Sequence, residues 1–327
     1  MNVFTKWILG AACLALAAVT AAQAPAWPKQ PVKVLVGFAP GTGSDVVMRL
    51  VGQKMGDVLG QPIVVDNRPG AAGIIATDAG AHAAPDGYTL TLGTTSTLIT
   101  APALSPNARY DVERDFVAVA PLARTAFVLV VANDPGAPKT LGELAASLRA
   151  KPASFASAGT GTITHLASEM FMKRAGLAAQ HVPYKGSAQA LGDVAGGQLL
   201  FASDTIAAAL PLLRAGKLRA LAVSSGARIG ALPDVPTFTE SGVPGLAGFT
   251  LYAWWGLVAP ARTPHDVVTA LNAAATRSIE SDDVKGKLRA LELEPFVATP
   301  SGFAAFIQQE TPVWNKFIRE SGFKADF

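Results

Sequence analysis

Residues 32–60 read VKVLVGFAPGTGSDVVMRLVGQKMGDVLG: an apolar run, a turn rich in glycine and hydroxyl groups, and an amphipathic run. The apolar run predicts a buried strand, and the spacing of apolar residues at 45–59 predicts a helix. A strand that leads directly into a helix is the first half of a βαβ unit, in which neighbouring strands are parallel. The stretch therefore predicts an α/β fold.

The same alternation of strand and helix continues along the chain. Residues 116–122, FVAVAPL, and 127–133, FVLVVAN, are predicted as two further strands. After residue 150 a second set begins, with helices at 163–175, 187–195 and 207–215 and strands at 178–186, 198–204 and 218–225.

A later stretch is predicted to return the chain to the first set. Residues 249–260, FTLYAWWGLVAP, are predicted as a long strand. Its alternation sends Trp254 and Trp255 to opposite faces, where either could wall a cleft or pack a hinge. We expect two α/β lobes, the first of residues 27–124 and 250–327 and the second of residues 125–249.

Residues 1–26 are typical of a secretory signal peptide. Lys6 carries their only charged side chain, and the apolar run at 8–22 is shorter than the roughly 20 residues of a transmembrane helix. The only cysteine, Cys13, lies in that run, so a mature chain has neither disulfides nor thiolate chemistry. The formal net charge of +3 is too small to indicate a nucleic-acid binder. We expect a protein of the periplasm.

Three loops rich in glycine and hydroxyl groups follow predicted strands, at 39–45, 93–97 and 159–165. Ligands of parallel α/β lobes lie beyond the carboxyl ends of the strands. Glycine N–H groups and a helix N-terminus together favour an anion, and these loops contain no lysine or arginine. The alternative is that the glycines shape the turns while Ser44 or Asp45 caps the helix. The loops predict a neutral site for a carboxylate or a phosphate.

Other chemistry finds little support in the sequence. Gly41 and Gly43 lack the third glycine of a dinucleotide site, and no Gly-Lys-Ser/Thr follows them, so we expect no nucleotide cofactor. The four histidines show no metal-binding spacing. His165 could donate to an anion or pack beneath its loop. Without a Gly-x-Ser-x-Gly motif, a periplasmic hydrolase is only an alternative.

Several motifs together resemble a known family. They are VKVLVGFAPGTGSD at 32–45, NRPGAAG at 67–73, HVPYKG at 181–186, LPDVPT at 232–237 and WWGLVAP at 254–260. The chain resembles the Bug family of periplasmic solute receptors, the TctC-like receptors of tripartite tricarboxylate transporters. The resemblance implies a type II periplasmic-binding-protein fold, in which two α/β lobes joined by a two-strand hinge close over a small organic carboxylate.

The resemblance also implies partners. It implies a receptor without catalytic activity or cofactor that delivers its solute to membrane permease subunits of a tripartite tricarboxylate-type transporter. The alternative is an orphan sensory receptor for the same solutes, acting on a sensor kinase. We expect a monomer that binds no nucleic acid.

Carried over residue by residue, the resemblance predicts which residues bind the ligand. The candidates are Ala39, Gly41, Thr42, Gly43, Ser44, Asp45, Thr94, Thr95, Ser96, Gly159, Thr160, Gly161, Thr162, His165 and Asp204. Asp204 could meet a ligand ammonium group or a water network, or cap the helix that follows. Family members commonly have Pro-Ala-Gly-Gly at 39–42 and asparagine at Thr160. They also often have an acidic residue at Leu200 and asparagine at Thr205, so the particular ligand does not follow from the resemblance.

Overall fold

A computed structural model describes residues 27–321, so the predicted signal peptide, Cys13 and residues 322–327 lie outside the described part. Its strands are β1 (Val32–Val36), β2 (Ile63–Asn67), β3 (Thr89–Thr94), β4 (Phe116–Ala132), β5 (Ser154–Ser157), β6 (Gln180–Pro183), β7 (Phe201–Thr205), β8 (Leu218–Val223), β9 (Tyr252–Pro260) and β10 (Glu294–Pro295).

The α-helices of residues 27–321 are α1 (Gly43–Leu59), α2 (Ile74–Ala81), α3 (Ala101–Leu104), α4 (Val112–Asp115), α5 (Leu141–Ala150), α6 (Ile163–Ala175), α7 (Ser187–Ala195), α8 (Ile206–Arg214), α9 (His265–Glu280), α10 (Asp282–Ala290) and α11 (Pro300–Ser321). A 3₁₀ turn at Ala71–Gly73 and a π-helical turn at Ser96–Thr100 complete the elements. None of these helices is both long and apolar enough to span a membrane.

The strands form two groups that share β4. Along the sheet their order is β2-β1-β3-β9-β4-β7-β5-β6, with β8 and β10 also paired to β4. In the first group β1 runs parallel to β2 and β3, and in the second β5 runs parallel to β6 and β7. The predicted architecture of two α/β lobes is confirmed.

The strand that joins the lobes differs from the prediction. The stretches 116–122 and 127–133 were expected to be separate strands, and this is wrong, because β4 is one strand of 17 residues. Its first part pairs with β9 as far as Ala126, and its second part pairs with β7 from Phe127 onward. The residues between the two stretches include no glycine or proline to turn the chain, so the backbone stays extended from lobe to lobe.

A second connection runs beside β4. The Leu251 N–H donates to the carbonyl of Ser224 (2.9 Å), and the Ser224 N–H donates to the carbonyl of Phe127 (2.8 Å). From Tyr252 the chain continues as β9 inside the first lobe, paired with β3 and β4. Two adjacent extended segments therefore link the lobes, as the prediction of a two-strand hinge requires.

Alternating side chains of β4 enter different cores. Phe127 and Leu129 belong to an apolar cluster that is continuous with the core of the first lobe, whereas Val128 and Val130 belong to a cluster beneath α7 and α8. On the first-lobe side, Trp254 packs edge-on against Phe303 of α11. The hinge strands are thus packed on both faces. This packing holds in place the strand ends from which the candidate loops start.

Candidate functional site

The first candidate loop is a tight turn between β1 and α1. Gly41 has a φ of +82°, a left-handed conformation that favours glycine. The N–H and Oγ1 of Thr42 both donate to the carbonyl of Ala39, at 3.3 and 2.8 Å, and the Gly41 N–H donates to Oδ2 of Asp45 at 2.9 Å. No side chain caps the start of α1. The first N–H groups of the helix therefore remain as donors for an anion.

The second-lobe loop repeats this turn before α6. The N–H and Oγ1 of Thr162 both donate to the carbonyl of Gly159, at 3.3 and 2.7 Å, and Gly161 has a φ of +74°. The Gly161 N–H donates to Nδ1 of His165 at 3.2 Å, four residues on, as Gly41 does to Asp45. Each lobe thus presents the same turn at a helix N-terminus. Gly-Thr with an acceptor side chain three residues after the threonine is the sequence signal for both.

Asp45 stabilises the first turn through hydrogen bonds. Burial acts to raise its pKa, but hydrogen bonds from Arg49, the Gly41 N–H and Asn67 outweigh it and hold the pKa below its ordinary value. Nε of Arg49 lies 2.9 Å from Oδ1 of Asp45. Since both carboxylate oxygens already accept hydrogen bonds, Asp45 stabilises the turn as an ionised group.

The third candidate loop is not a free loop. Gly93 and Thr94 belong to β3, and a helical turn begins at Ser96, so the prediction of a loop is wrong here. The reason is an exchange of hydrogen bonds. Oγ1 of Thr97 accepts the Thr94 N–H (3.0 Å), and Oγ1 of Thr94 accepts the Thr97 N–H (3.2 Å). Oγ1 of Thr95 is buried and has no partner among the described residues.

The lobes meet through these loops. The Ile163 N–H at the start of α6 donates to Oγ of Ser96 (3.2 Å), and Oγ1 of Thr100 donates to the carbonyl of Gly161 (3.4 Å). In the first lobe, Nε1 of Trp255 donates to Oγ of Ser44 (3.0 Å). The second-lobe turn therefore contacts the π-helical turn that follows β3 in the first lobe.

Sequence reasoning did not predict the contact of Trp255 with the start of α1. The residue is 5% exposed, and its ring lies so close to Gly43 that an added Cβ would come within 3.1 Å of it. Trp254 instead faces α11, so the predicted division between opposite faces is what the structure has. The indole bond to Ser44 also leaves that hydroxyl bonded to tryptophan and not to a histidine base, which gives the hydrolase alternative no support.

A stacked pair of histidines supports the second turn. The rings of His165 and His181 lie 3.5 Å apart and nearly parallel, and Nε2 of His181 lies 2.7 Å from Oγ of Ser157. On the other side, Nε2 of His165 lies 3.7 Å from the carboxylate of Glu169. Burial, and then the neighbouring His165, lower the pKa of His181 to about 3.

We expect this pair to make the protein less stable in acid. An unfolded histidine has a pKa of about 6.5, so between pH 6.5 and 3 the unfolded chain binds a proton that folded His181 does not. Stability that is present above pH 6.5 is therefore lost as the pH falls. In His181→Phe this part of the pH dependence should flatten, as measured by denaturant unfolding from pH 3.5 to 8. His265→Phe, at an exposed position, is the control, and a wild-type profile in His181→Phe would contradict the assignment.

Asp204 lies at the end of β7 and is 1% exposed. The Thr205 N–H donates to its Oδ1 (2.7 Å), while Oδ2 has no partner among the described residues. Burial raises its pKa to about 6, against hydrogen bonds from Ser187 and Thr205. Because β5 and β7 are parallel and pair Ala156 with Ala202, Asp204 lies at the edge from which the second turn leaves.

The remaining candidate residues lie within these structures. Ala39, Gly43 and Thr160 are in the two turns, where Thr160 is half-buried. Within residues 27–321 no group of three or more potential metal ligands comes together. A surface groove of about 580 Å³ lies between α1 and β2, and none of the candidate residues lines it.

Comparison with known proteins identifies relatives across nearly the whole chain. Residues 47–323 match the family described as "Tripartite tricarboxylate transporter family receptor". Protein BugT of Bordetella pertussis is 36% identical over 305 residues, which cover 92% of this chain and 92% of BugT.

Two solved structures share the fold. One is described as a periplasmic transporter and has 38% identity and a TM-score of 0.84, covering 92% of this chain and 100% of the other. The second, Rpa4515 of R. palustris with adipate, has 32% identity and a TM-score of 0.84, covering 91% of this chain and 99% of the other. Both agreements extend over the two lobes described above.

Proposed function

Because the chain belongs to the tripartite tricarboxylate transporter receptor family, which is a family of periplasmic solute-binding proteins, we propose that it captures a small organic carboxylate between its lobes. We further propose that it passes the solute to the membrane subunits of a tripartite tricarboxylate-type transporter. The resemblance seen in the sequence thus leads to a receptor and not to an enzyme.

One observation carries this proposal. Each lobe has the same glycine–threonine turn at a helix N-terminus, and the second turn contacts the π-helical turn that follows β3 in the first lobe. The uncapped N-terminus of α1 offers N–H donors and partial positive charge, which suit a carboxylate. The structural neighbour Rpa4515 was solved with adipate, which is a small organic carboxylate.

The proposed mechanism is closure on the ligand. The carboxylate binds at the start of α1, and rotation about the two hinge segments brings the second turn onto Ser96. A ligand that contacts both lobes stabilises the closed form over the open one. No arginine or lysine lies in the turns, so binding relies on N–H and hydroxyl donors and remains reversible.

The test is a thermal-shift screen of protein purified from the periplasm of an expressing bacterium. The panel contains mono-, di- and tricarboxylates, amino acids and neutral sugars. A ligand at about 100 times its Kd should stabilise the protein by about 2.7 kcal/mol, which raises Tm by several degrees. We expect a carboxylate to give this shift and to be recovered unchanged. Its conversion to a product, or a shift with sugars only, would contradict the proposal.

A further inference from the structure

The end of β7 carries a buried carboxylate that the described residues do not neutralise. Oδ1 of Asp204 accepts the N–H and, at 3.4 Å, the hydroxyl of Thr205, whereas Oδ2 makes no hydrogen bond within residues 27–321 and only the nearby Ser187 hydroxyl offsets part of its burial. A buried acceptor without a donor is costly and rare in native proteins. The carboxylate therefore points to a donor that arrives from outside the chain.

No cation on the surrounding elements serves this carboxylate. The titratable and charged side chains on the elements packed against β7 are Arg124, His165, Glu169, Lys173, Arg174, Asp193 and Arg214. Arg124 pairs with Glu294 and Lys173 with Glu320, Nε2 of His165 lies 3.7 Å from the carboxylate of Glu169, and Asp193 accepts from the Tyr184 hydroxyl. Burial raises the pKa of Asp204, and the hydroxyls of Ser187 and Thr205 and the Thr205 N–H lower it; none of these is a cation.

The two turns engage their own donors in the same way. The N–H groups of Gly161 and Thr162 donate within the second turn, as the equivalent groups of the first turn do. Neither α1 nor α6 has a side-chain cap at its start, but at α6 the Ile163 N–H donates to Ser96. The two sides of the cleft thus differ chemically in that the second lobe adds a buried carboxylate acceptor, Asp204.

We propose that Asp204 makes this site select acids whose far end carries a hydrogen-bond donor, such as a hydroxyl or ammonium group, and that a second carboxyl group is admitted only when it shares one proton with Asp204. The inference rests on the proposed function. Two ionised carboxylates in one buried site repel, and such pairs hold a proton between them. A diacid should therefore take up a proton from solvent as it binds.

The pH dependence follows with opposite signs for two ligand classes. Burial raises the pKa of Asp204 to about 6. Above that pH a diacid must bring the missing proton, so its affinity should fall by up to about tenfold per pH unit. An acid with a far-end ammonium group should instead bind more tightly as Asp204 ionises.

The experiment uses matched four-carbon and six-carbon acids that end in methyl, hydroxyl, ammonium or a second carboxyl group. Affinities are measured by titration calorimetry at pH 5 and pH 8. With wild-type protein we expect the hydroxyl and ammonium acids to bind more tightly than the methyl acids at pH 8. The diacids should bind at least about tenfold more weakly at pH 8 than at pH 5.

Asp204→Asn is the test variant, because it keeps the shape and offers a donor as well as an acceptor. It should remove the pH dependence of diacid binding, weaken the ammonium acids at least about tenfold, and raise Tm without ligand at pH 8 because a buried charge is lost. Asp193→Asn, on α7 of the same lobe, is the matched control and should keep the wild-type ranking.

Calorimetry of the wild-type protein in two buffers with different ionisation enthalpies measures proton uptake independently of any variant. At pH 8 a diacid should take up about one proton and a hydroxyl acid none. Binding of diacids without proton uptake, or an unchanged ranking in Asp204→Asn, would overturn this inference and leave the proposed function standing. If no acid of either series binds wild-type protein, the proposed function fails as well.

Discussion

Replacing Gly41 by aspartate is expected to abolish carboxylate binding while the protein still unfolds cooperatively. The new side chain has room, since nothing lies within 4 Å of a Cβ built at Gly41. Its charge lies beside the uncapped N-terminus of α1, where the ligand carboxylate is proposed to bind. Two unit charges about 4 Å apart repel by about 4 kcal/mol at an effective dielectric constant of about 20. We therefore expect affinity to fall at least about 100-fold.

Gly41→Asn is the control for this prediction. Asparagine has the same shape as aspartate and tolerates the left-handed φ of +82° equally well, but it carries no charge. Both variants should show similar melting temperatures, and Gly41→Asn should retain most of the affinity in titration calorimetry. If Gly41→Asp binds carboxylates as the wild type does, the first turn is not where the carboxylate binds.

The sequence predicted the elements whose pattern is local. Helices were expected at 163–175 and 187–195, and they are found at Ile163–Ala175 and Ser187–Ala195. A helix shows its apolar spacing within one segment, and glycine or a hydroxyl residue marks its ends. The glycine turns were predicted for the same reason, because the residues that form each turn lie within seven positions of one another.

What the sequence did not predict depends on residues far apart in the chain. Trp255 bonds to Ser44, 211 positions away, and the stacking of His165 on His181 follows from the parallel pairing of β5 and β6. That β4 is one continuous strand likewise depends on partner strands from both lobes. Periodicity reports which side of an element is buried, but it does not report which distant residue covers it.

The candidate site shows the same division. The loops at 39–45 and 159–165 were chosen for glycine and hydroxyl content, and the structure adds that the two are the same turn, held by Asp45 in one lobe and by His165 in the other. The glycine and hydroxyl content of the two loops suggested ligand donors along both of them. The hydrogen bonds distinguish donors that are already engaged, such as the Ile163 N–H, from an acceptor, Oδ2 of Asp204, that makes no hydrogen bond within the described residues.

Replacing Trp255 by alanine is expected to cost both stability and binding. The indole packs against Gly43 at the start of α1. The Trp255 backbone pairs with Thr94 of β3 and with Ala123 of β4. Loss of a buried tryptophan side chain costs about 3–5 kcal/mol, so Tm should fall by roughly 10 °C. The start of α1 loses its support at the same time, so carboxylate affinity should fall at least about tenfold.

Trp255→Phe separates the two effects because phenylalanine keeps an aromatic ring but has no N–H to donate. Oγ of Ser44 then loses the donor that lies 3.0 Å away, which should cost about 1 kcal/mol of stability. Affinity should fall severalfold if the bond between Trp255 and Ser44 holds the α1 donors in place for the ligand. Unfolding by denaturant and titration calorimetry measure the two quantities on the same preparation. Wild-type affinity in both variants would show that Trp255 packs the hinge without orienting the carboxylate site.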